Sequence, residues 1–128
     1  MDIGVIIIIN KRDIEDKFKQ AHELGFKSCQ INCWNHSILD DEMAEKIKML
    51  CKKYDMKIST VWVGWSGPCV WNFIDGPVTI GLVPPEYRYD RMKELMHGSD
   101  FAKKLGVNQI ATHFGFLPES PADPQYRP

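Results

Sequence analysis

The residues best suited to chemistry in this sequence are four tryptophans and one histidine. The tryptophans are Trp34, Trp62, Trp65 and Trp71, and His113 stands in the segment Ala-Thr-His-Phe-Gly. An indole has a flat apolar face that can pack on the C–H side of a sugar ring, whose hydroxyls need polar neighbours. A histidine can bind a metal, hydrogen-bond a substrate oxygen or shuttle a proton. Together these residues indicate a ligand site, although each tryptophan could instead fill a core and the histidine could be a hydrogen-bonded rim residue.

Two other residues are candidates for substrate contact, but the sequence offers no set of catalytic residues. Asn72 follows Trp71 in a long loop, and Gly115 would let the backbone approach a ligand closely. The acids at positions 13, 16, 42 and 45 belong to predicted helix starts, where the helix dipole explains them. Glu119 and Asp123 lie in a proline-rich stretch, poorly placed for acid–base work. No spacing matches paired metal ligands, so the sequence predicts neither a catalytic residue nor a metal ligand.

Composition excludes several classes of function. The chain has 128 residues with 44% hydrophobic and 26% charged side chains, which is typical of a single globular domain. Sixteen basic against seventeen acidic side chains give a net charge of −1, so no nucleic-acid or anionic-membrane partner is predicted. The longest apolar stretch, residues 5–9, is too short to cross a bilayer and lacks a signal-peptide cleavage site.

The four cysteines match no zinc-ribbon or redox motif. Cys29, Cys33 and Cys51 fall on predicted core-facing positions and are interpreted as small buried hydrophobes. Because the sequence carries no export signal, four cysteines indicate a reducing, cytoplasmic setting.

The elements that must position these residues alternate along the chain. Four apolar runs predict strands, and the first is so uniformly β-branched that both of its faces are expected to be covered. The predicted strands are 3–9, 28–34, 57–65 and 109–116, and the predicted helices are 13–24, 41–54 and 86–105. Residues 66–88 form a long loop rich in glycine and proline, and such loops in compact domains are usually functional.

Local signals predict how the helices begin, end and face the core. Asp13 is expected to cap the first helix, and Gly25 to adopt the left-handed conformation just after it. The second helix carries a core stripe at Met43, Ile47, Leu50, Cys51 and Tyr54. The third is expected to turn Met92, Leu95, Met96, Ser99 and Ala102 inward, with Gly98 weakening its middle by roughly 1 kcal/mol relative to Ala.

The order βαβαβαβ predicts a parallel α/β fold, either an open doubly wound sheet or a barrel. No glycine-rich turn follows the first strand, which argues against the nucleotide-binding version. The favoured fold is a partial TIM barrel of about four strands and three helices, occupying residues 1–128 as one domain. A complete barrel needs about 250 residues, so the chain is expected to be cut short. Because barrels build their sites at the carboxyl ends of the strands, the tryptophans and His113 should share one face.

Four segments carry a family resemblance. They are Ser-Cys-Gln-Ile at 28–31, the tryptophan-containing run 61–73, Gly-Leu-Val-Pro-Pro at 81–85, and Ala-Thr-His-Phe-Gly-Phe-Leu-Pro-Glu at 111–119. Together they resemble the sugar phosphate isomerase/epimerase family, xylose-isomerase-like TIM barrels related to tagatose epimerases and inosose-type dehydratases. The resemblance covers only the amino-terminal half of such a protein. The bulky end of the first strand, residues 6–11, departs from the family pattern.

The resemblance implies a divalent metal (Mn, Mg, Co or Zn) that chelates a ketose while two carboxylates move a proton beside the carbonyl. In this family most metal ligands and the glutamates come from later strands, so none is carried onto this chain, which alone is expected to bind no metal. His113 matches a fourth-strand histidine near the pocket. Trp34, Trp62 and the long third loop, which holds Trp71 and Asn72 and directly follows Trp65, match the substrate wall.

Two alternatives remain open. An endonuclease IV-like zinc phosphodiesterase shares the barrel, but it would need histidines ending both the third and the fourth strand, and it would need a basic DNA groove. A non-catalytic carbohydrate-binding or assembly module would use the tryptophans without turnover. A half barrel would also expose its strand edges, so homo-oligomers are expected through them.

Overall fold

The computed structural model describes residues 3–117, and four parallel strands within them form one sheet in the order β1-β2-β3-β4. The elements are β1 (Gly4–Ile8), α1 (Ile14–Glu23), β2 (Ser28–Cys33), α2 (Asp41–Lys53), β3 (Lys57–Val63), α3 (Gly76–Thr79), α4 (Pro85–Lys104) and β4 (Ile110–Ala111), with a 3-10 turn at His36–Ile38. This confirms the predicted parallel α/β fold of a partial barrel. Between residues 3 and 117, no helix has the length and apolarity that crossing a membrane requires.

Two boundaries differ from the sequence prediction at the end of the sheet where the strands finish. The strand predicted over 109–116 keeps only Ile110–Ala111, because the chain then leaves the sheet to contact the loop before α4. There the carbonyl of Phe114 accepts hydrogen bonds from the backbone N–H groups of Leu82 and Val83. The long loop contains the short helix α3 and ends where α4 begins at Pro85, a residue suited to a first helical turn.

Within residues 3–117, helices cover one face of the sheet and leave the other uncovered. Ile7, Ile31 and Val61 lie on the covered face and are buried against α1, α2 and α4, whose core residues include Phe18 and Phe101. The opposite face carries Ile6 and Ile8, which are 59% and 49% exposed. The prediction that both faces of β1 are covered is therefore wrong for the part of the chain that the structure describes. A β-branched run looks the same in the sequence whether one face or both are buried.

The first two helices begin differently from one another. The side chain of Asp13 does not cap α1 as predicted, since it binds the Lys17 ammonium at 2.9 Å and the Asn10 amide instead. The Asn10 side-chain oxygen accepts the N–H groups of Arg12 and Asp13, which closes the turn before α1 and leaves the helix without a side-chain cap. The hydrogen bond from Lys17 lowers the pKa of Asp13.

Gly25 and the core stripe of α2 agree with the prediction, and α2 also has a side-chain cap that was not predicted. At α2, the Asp40 carboxylate accepts the N–H of Met43 at 2.7 Å. Gly25 has φ +84°, as predicted. The core stripe of α2 is buried at Met43, Ile47 and Leu50, with its remaining members half-buried.

Helix α4 faces the core with a stripe that matches the prediction only in part. Ala102 is buried and Leu95 half-buried as predicted, but Met92, Met96 and Ser99 are exposed. Arg91, Gly98 and Phe101 are buried instead. The reason is Gly98, where an added Cβ would lie 2.5 Å from both γ-methyl carbons of Val63 in β3. The missing side chain lets the helix axis approach the sheet at this position. Residues one or two turns away on the same side, Arg91 and Phe101, therefore point inward.

The cysteines behave as core residues. Cys29 and Cys33 are fully buried beneath the helices, and Cys51 is half-buried at the edge of the same core. Burial raises the pKa of Cys29 to about 12 and the pKa values of Cys33 and Cys51 to about 11. The interpretation of these three residues as small hydrophobes agrees with this placement.

These raised pKa values predict a loss of stability in alkali. The thiol has a pKa near 9 in the unfolded chain and a pKa of about 12 in the folded chain. The stability that this difference contributes is fully present below pH 9 and is lost as the pH rises toward 12. Between pH 9 and pH 10 we expect the free energy of unfolding to fall in both chains. In Cys29→Ala this fall should be smaller by about 1 kcal/mol, because the variant has no thiol to titrate at this position. Urea unfolding at the two pH values measures this difference. Equal losses in both chains would contradict the role of the Cys29 thiol.

The close contact at Gly98 gives a second prediction. An alanine usually stabilises a helix by about 1 kcal/mol over glycine, but here its Cβ would press on Val63. We expect Gly98→Ala to lower the free energy of unfolding by about 1–3 kcal/mol, measured by urea unfolding. Ser99→Ala, at the neighbouring exposed position, is the matched control and should be neutral or slightly stabilising.

A double variant tests the cause of that loss. In a Val63→Ala background the obstructing methyl groups are gone, so Gly98→Ala should cost less than it does alone. A stabilisation by Gly98→Ala in the unchanged chain, equal to that of Ser99→Ala, would show that the helix does not approach the strand this closely.

Candidate functional site

Five aromatic side chains meet at the end of the sheet where the strands finish, and we call them the aromatic cluster: Trp34, Trp62, Trp65, Trp71 and His113. The ring centroids of Trp34 and Trp62 are 4.6 Å apart, those of Trp62 and Trp65 6.0 Å, and those of Trp65 and Trp71 6.5 Å. His113 lies 5.0 Å from Trp71 and 5.7 Å from Trp62, edge-on to both rings. The structure thus brings together all four tryptophans and the histidine that the sequence placed on one face.

The strands account for this meeting. Trp34 directly follows β2, Trp62 is the sixth residue of β3, and His113 comes two residues after β4. Parallel pairing sets Asn32 opposite Trp62 and Trp62 opposite Ala111, so the ends of three strands lie side by side. The hydroxyl of Thr112 donates to the Val63 carbonyl at 2.7 Å and fixes the chain just before His113.

Exposure divides the aromatic cluster into a floor and a rim. Trp65 and Trp62 are 4% and 8% exposed and pack with Ile80 in a small apolar core of their own. Trp34 is 38% exposed and Trp71 56%, and His113 is also exposed. The floor is therefore Trp62 and Trp65, which fill a core. The rim is Trp34, Trp71 and His113, whose rings are accessible to solvent.

Gly64 holds the rim residue Trp34 in place. A Cβ on Gly64 would lie 2.7 Å from the Trp34 ring, so only glycine lets the indole lie across the backbone here. The Gly64 N–H donates to the Cys33 carbonyl at 2.8 Å, and the Gly64 carbonyl accepts from Nε2 of His36 at 2.9 Å. His36, whose place the sequence left uncertain, is therefore a residue that fixes the backbone under Trp34.

A buried arginine holds the loop that carries Trp71. Arg91 is 1% exposed, and its guanidinium donates to four backbone carbonyls of residues 66–81. The acceptors are the oxygens of Thr79 (2.8 Å), Gly81 (2.7 Å), Pro68 (2.9 Å) and Ser66 (3.2 Å). The group also lies 5.5 Å from the Trp65 ring and 4.6 Å from the Tyr87 ring. Burial lowers the pKa of Arg91.

Arg91 is the site-forming residue that the sequence analysis missed. A loop rich in glycine and proline pairs few of its own backbone carbonyls, and these carbonyls need a donor when they are buried. Arginine carries five N–H donors on one rigid plane, more than any other side chain. The available signal was two arginines in the first two turns of the helix that follows such a loop. Arg91 is the seventh residue of α4, and Arg88, its fourth, also donates to two loop carbonyls.

Asn72 and Gly115 have structural tasks in this part of the molecule. The Asn72 side-chain oxygen accepts the N–H groups of Ile74 and Asp75 at 2.9 and 2.6 Å, which closes the turn before α3. Gly115 has φ +120°, and a Cβ there would lie 2.4 Å from the Ile80 carbonyl oxygen. The close backbone approach at Gly115 is thus to the loop before α4. Substrate contact by either residue stays a prediction.

Residues 3–117 contain no group of three or more His, Cys, Asp or Glu side chains placed to hold a metal ion. His113 is surrounded by indoles rather than by carboxylates or other imidazoles. The described residues alone therefore do not fit the divalent metal that the resemblance implies. Glu119 and Asp123, the two carboxylates that follow the fourth strand in the sequence, lie outside the described residues.

The Arg91 anchor gives a prediction for the loop. We expect Arg91→Met to lower the free energy of unfolding by about 3 kcal/mol or more, because buried carbonyls lose a charged donor. Arg91→Lys should rescue little of this loss, since one ammonium cannot reach four separated carbonyls. Urea unfolding followed by tryptophan fluorescence measures both variants. Arg12→Met, at an exposed position, is the matched control and should change stability by less than about 0.5 kcal/mol.

Comparisons with known proteins support the fold and the resemblance. No family model matches the sequence, and no curated protein is significantly similar to it. Among solved structures, a xylose isomerase domain protein from Planctomyces limnophilus is similar, with a TM-score of 0.82 and 26% sequence identity. The similarity covers 97% of this chain and 44% of that one, so the chain spans less than half of its length. The chain is thus similar, over nearly all of its residues, to the amino-terminal half of a xylose-isomerase-like barrel.

Proposed function

We propose that this chain is the substrate-binding, amino-terminal half of a metal-dependent sugar or sugar phosphate isomerase/epimerase-like protein. The observation that carries the proposal is the aromatic cluster at the carboxyl end of the parallel sheet. Barrels of this type place their sites at that end. The similarity to a xylose isomerase domain supports the same assignment.

The rim of the aromatic cluster has the chemistry that a ketose requires. The exposed indoles of Trp34 and Trp71 can pack on the apolar C–H face of a sugar. The His113 ring is held edge-on by Trp62, Trp65 and Trp71, so its orientation is restricted. It has no hydrogen-bond partner for either ring nitrogen among residues 3–117. We therefore assign the imidazole to a hydroxyl or carbonyl oxygen of the substrate.

On this assignment the described residues bind the substrate and carry out no step of the reaction. In the family that the chain resembles, a divalent metal and two carboxylates carry the proton transfer, and the described residues supply no such set. Residues beyond them are proposed to supply it. The cytoplasmic setting predicted from the cysteines likewise stays a prediction.

Tryptophan fluorescence tests ketose binding directly, because all four tryptophans of the chain lie in the aromatic cluster. We expect D-fructose or D-tagatose, titrated to high millimolar concentration, to produce a saturable change in emission. His113→Ala should weaken the apparent affinity about tenfold, which corresponds to about 1.4 kcal/mol. Trp71→Phe should weaken it less, since a smaller aromatic face remains.

Two controls make the titration specific. His22→Gln changes a histidine of α1 that lies against Tyr54, away from the aromatic cluster, and should leave the affinity unchanged. Glycerol at matched concentration corrects for general solvent effects. An unsaturable response, or equal affinities for His113→Ala and His22→Gln, would count against the proposed site.

A further inference from the structure

Two histidine rings face each other where the turn after β2 meets helix α4. His36 lies in the 3-10 turn and His97 in α4, and their ring centroids are 6.0 Å apart with the ring planes inclined by 34°. The turn and the helix are in contact, so the pair joins two elements that are distant in the sequence. Neither ring belongs to the aromatic cluster.

The hydrogen bonding of His36 leaves one of its ring nitrogens available. Its Nε2 lies 2.9 Å from the Gly64 carbonyl oxygen, which can only accept, so Nε2 carries the proton and donates. In the neutral ring, Nδ1 is then an acceptor with a lone pair. Nδ1 is buried and has no hydrogen-bond partner among residues 3–117, which is unfavourable for a polar atom. A group that binds this lone pair would remove the penalty.

This arrangement of hydrogen bonds is the one that metal-binding histidines usually have. Such a histidine donates one ring N–H to an acceptor such as a backbone carbonyl, which fixes the ring, and binds the metal through its other nitrogen. A zinc ion lies about 2 Å from a histidine nitrogen and about 3 Å from the ring centre, which places two rings on one ion roughly 5–6 Å apart. The separation of 6.0 Å between the rings of His36 and His97 agrees with this range.

We propose that His36 and His97 bind one divalent transition-metal ion such as zinc, through Nδ1 of His36 and a ring nitrogen of His97. Imidazole is a good ligand for zinc and for its neighbours in the first transition row, whereas magnesium prefers oxygen ligands. His97 is exposed, so water can reach the ion and complete its coordination. No group of three metal-binding side chains occurs in residues 3–117, which agrees with a site of two histidines and water.

An ion bound to both rings would tie the turn after β2 to α4. The His36 ring also holds the Gly64 carbonyl, and Gly64 lies against the Trp34 ring, so the ion would stabilise the backbone beneath the rim. This ion is different from the metal that the family resemblance implies, whose ligands come mostly from later strands. It uses no ring of the aromatic cluster, so zinc binding and ketose binding are measured separately and can fail separately.

Isothermal titration calorimetry of the 128-residue chain with zinc chloride tests the proposal. We expect one zinc ion to bind per chain, and no binding of magnesium chloride. His97→Gln should weaken zinc binding by about tenfold or more, because it removes one of the two protein ligands. His36→Gln keeps an amide donor for the Gly64 carbonyl and should weaken zinc binding as well. His22→Gln, at an exposed histidine of α1, is the matched control and should bind zinc as tightly as the unchanged chain.

Two further measurements locate the ion and show that it binds the folded chain. In nuclear magnetic resonance spectra, zinc should shift the ring signals of His36 and His97 and leave those of His113 unchanged. Zinc should also raise the urea midpoint of the unchanged chain but not that of His97→Gln, as expected for a ligand of the native state. An absence of zinc binding, binding that either His36→Gln or His97→Gln leaves unchanged, equal weakening in His22→Gln, or shifts confined to His113 would each overturn the proposal.

Discussion

The described site depends on one buried cation. The Arg91 guanidinium, 1% exposed, gathers the carbonyls of Ser66, Pro68, Thr79 and Gly81 around a single plane. These contacts connect α4 to the loop before α3, at Ser66 and Pro68, and to the end of α3 and the residues after it, at Thr79 and Gly81. The same guanidinium lies beside the Trp65 ring, so the loop and the floor of the aromatic cluster share one anchor. The loop in turn holds Trp71 at the rim.

A second constraint is the difference between the two faces of the sheet. The helix-covered face contains nearly all of the main hydrophobic core, and Gly98 brings α4 close to Val63 there. The opposite face carries the exposed side chains of Ile6 and Ile8 and, in the same row as Ile8, Trp62 of the aromatic cluster.

The sequence was sufficient for the features set by local periodicity. The hydrophobic stripe located α2 within one residue, and the rule that parallel strands finish at one edge predicted the meeting of the aromatic cluster. It was insufficient where a contact between distant segments decides the outcome. Gly98 was interpreted as a weakness of α4 although its missing side chain lets the helix approach Val63, and three of the five residues predicted to face inward are exposed. The Asp13 side chain pairs with Asn10 and Lys17 and does not cap α1, and Arg91 was missed because a charged residue is not expected in a core.

Binding of a ketose at the rim of the aromatic cluster can be followed residue by residue through the indole N–H signals in a ¹⁵N nuclear magnetic resonance spectrum. Each of the four tryptophans gives one such signal, which single Trp→Phe variants can assign. Titration with D-tagatose should shift the signals of Trp34 and Trp71 saturably, with a smaller change for buried Trp65. If all four signals stay unmoved at high millimolar sugar, or drift together without saturation, the rim of the aromatic cluster does not bind a ketose.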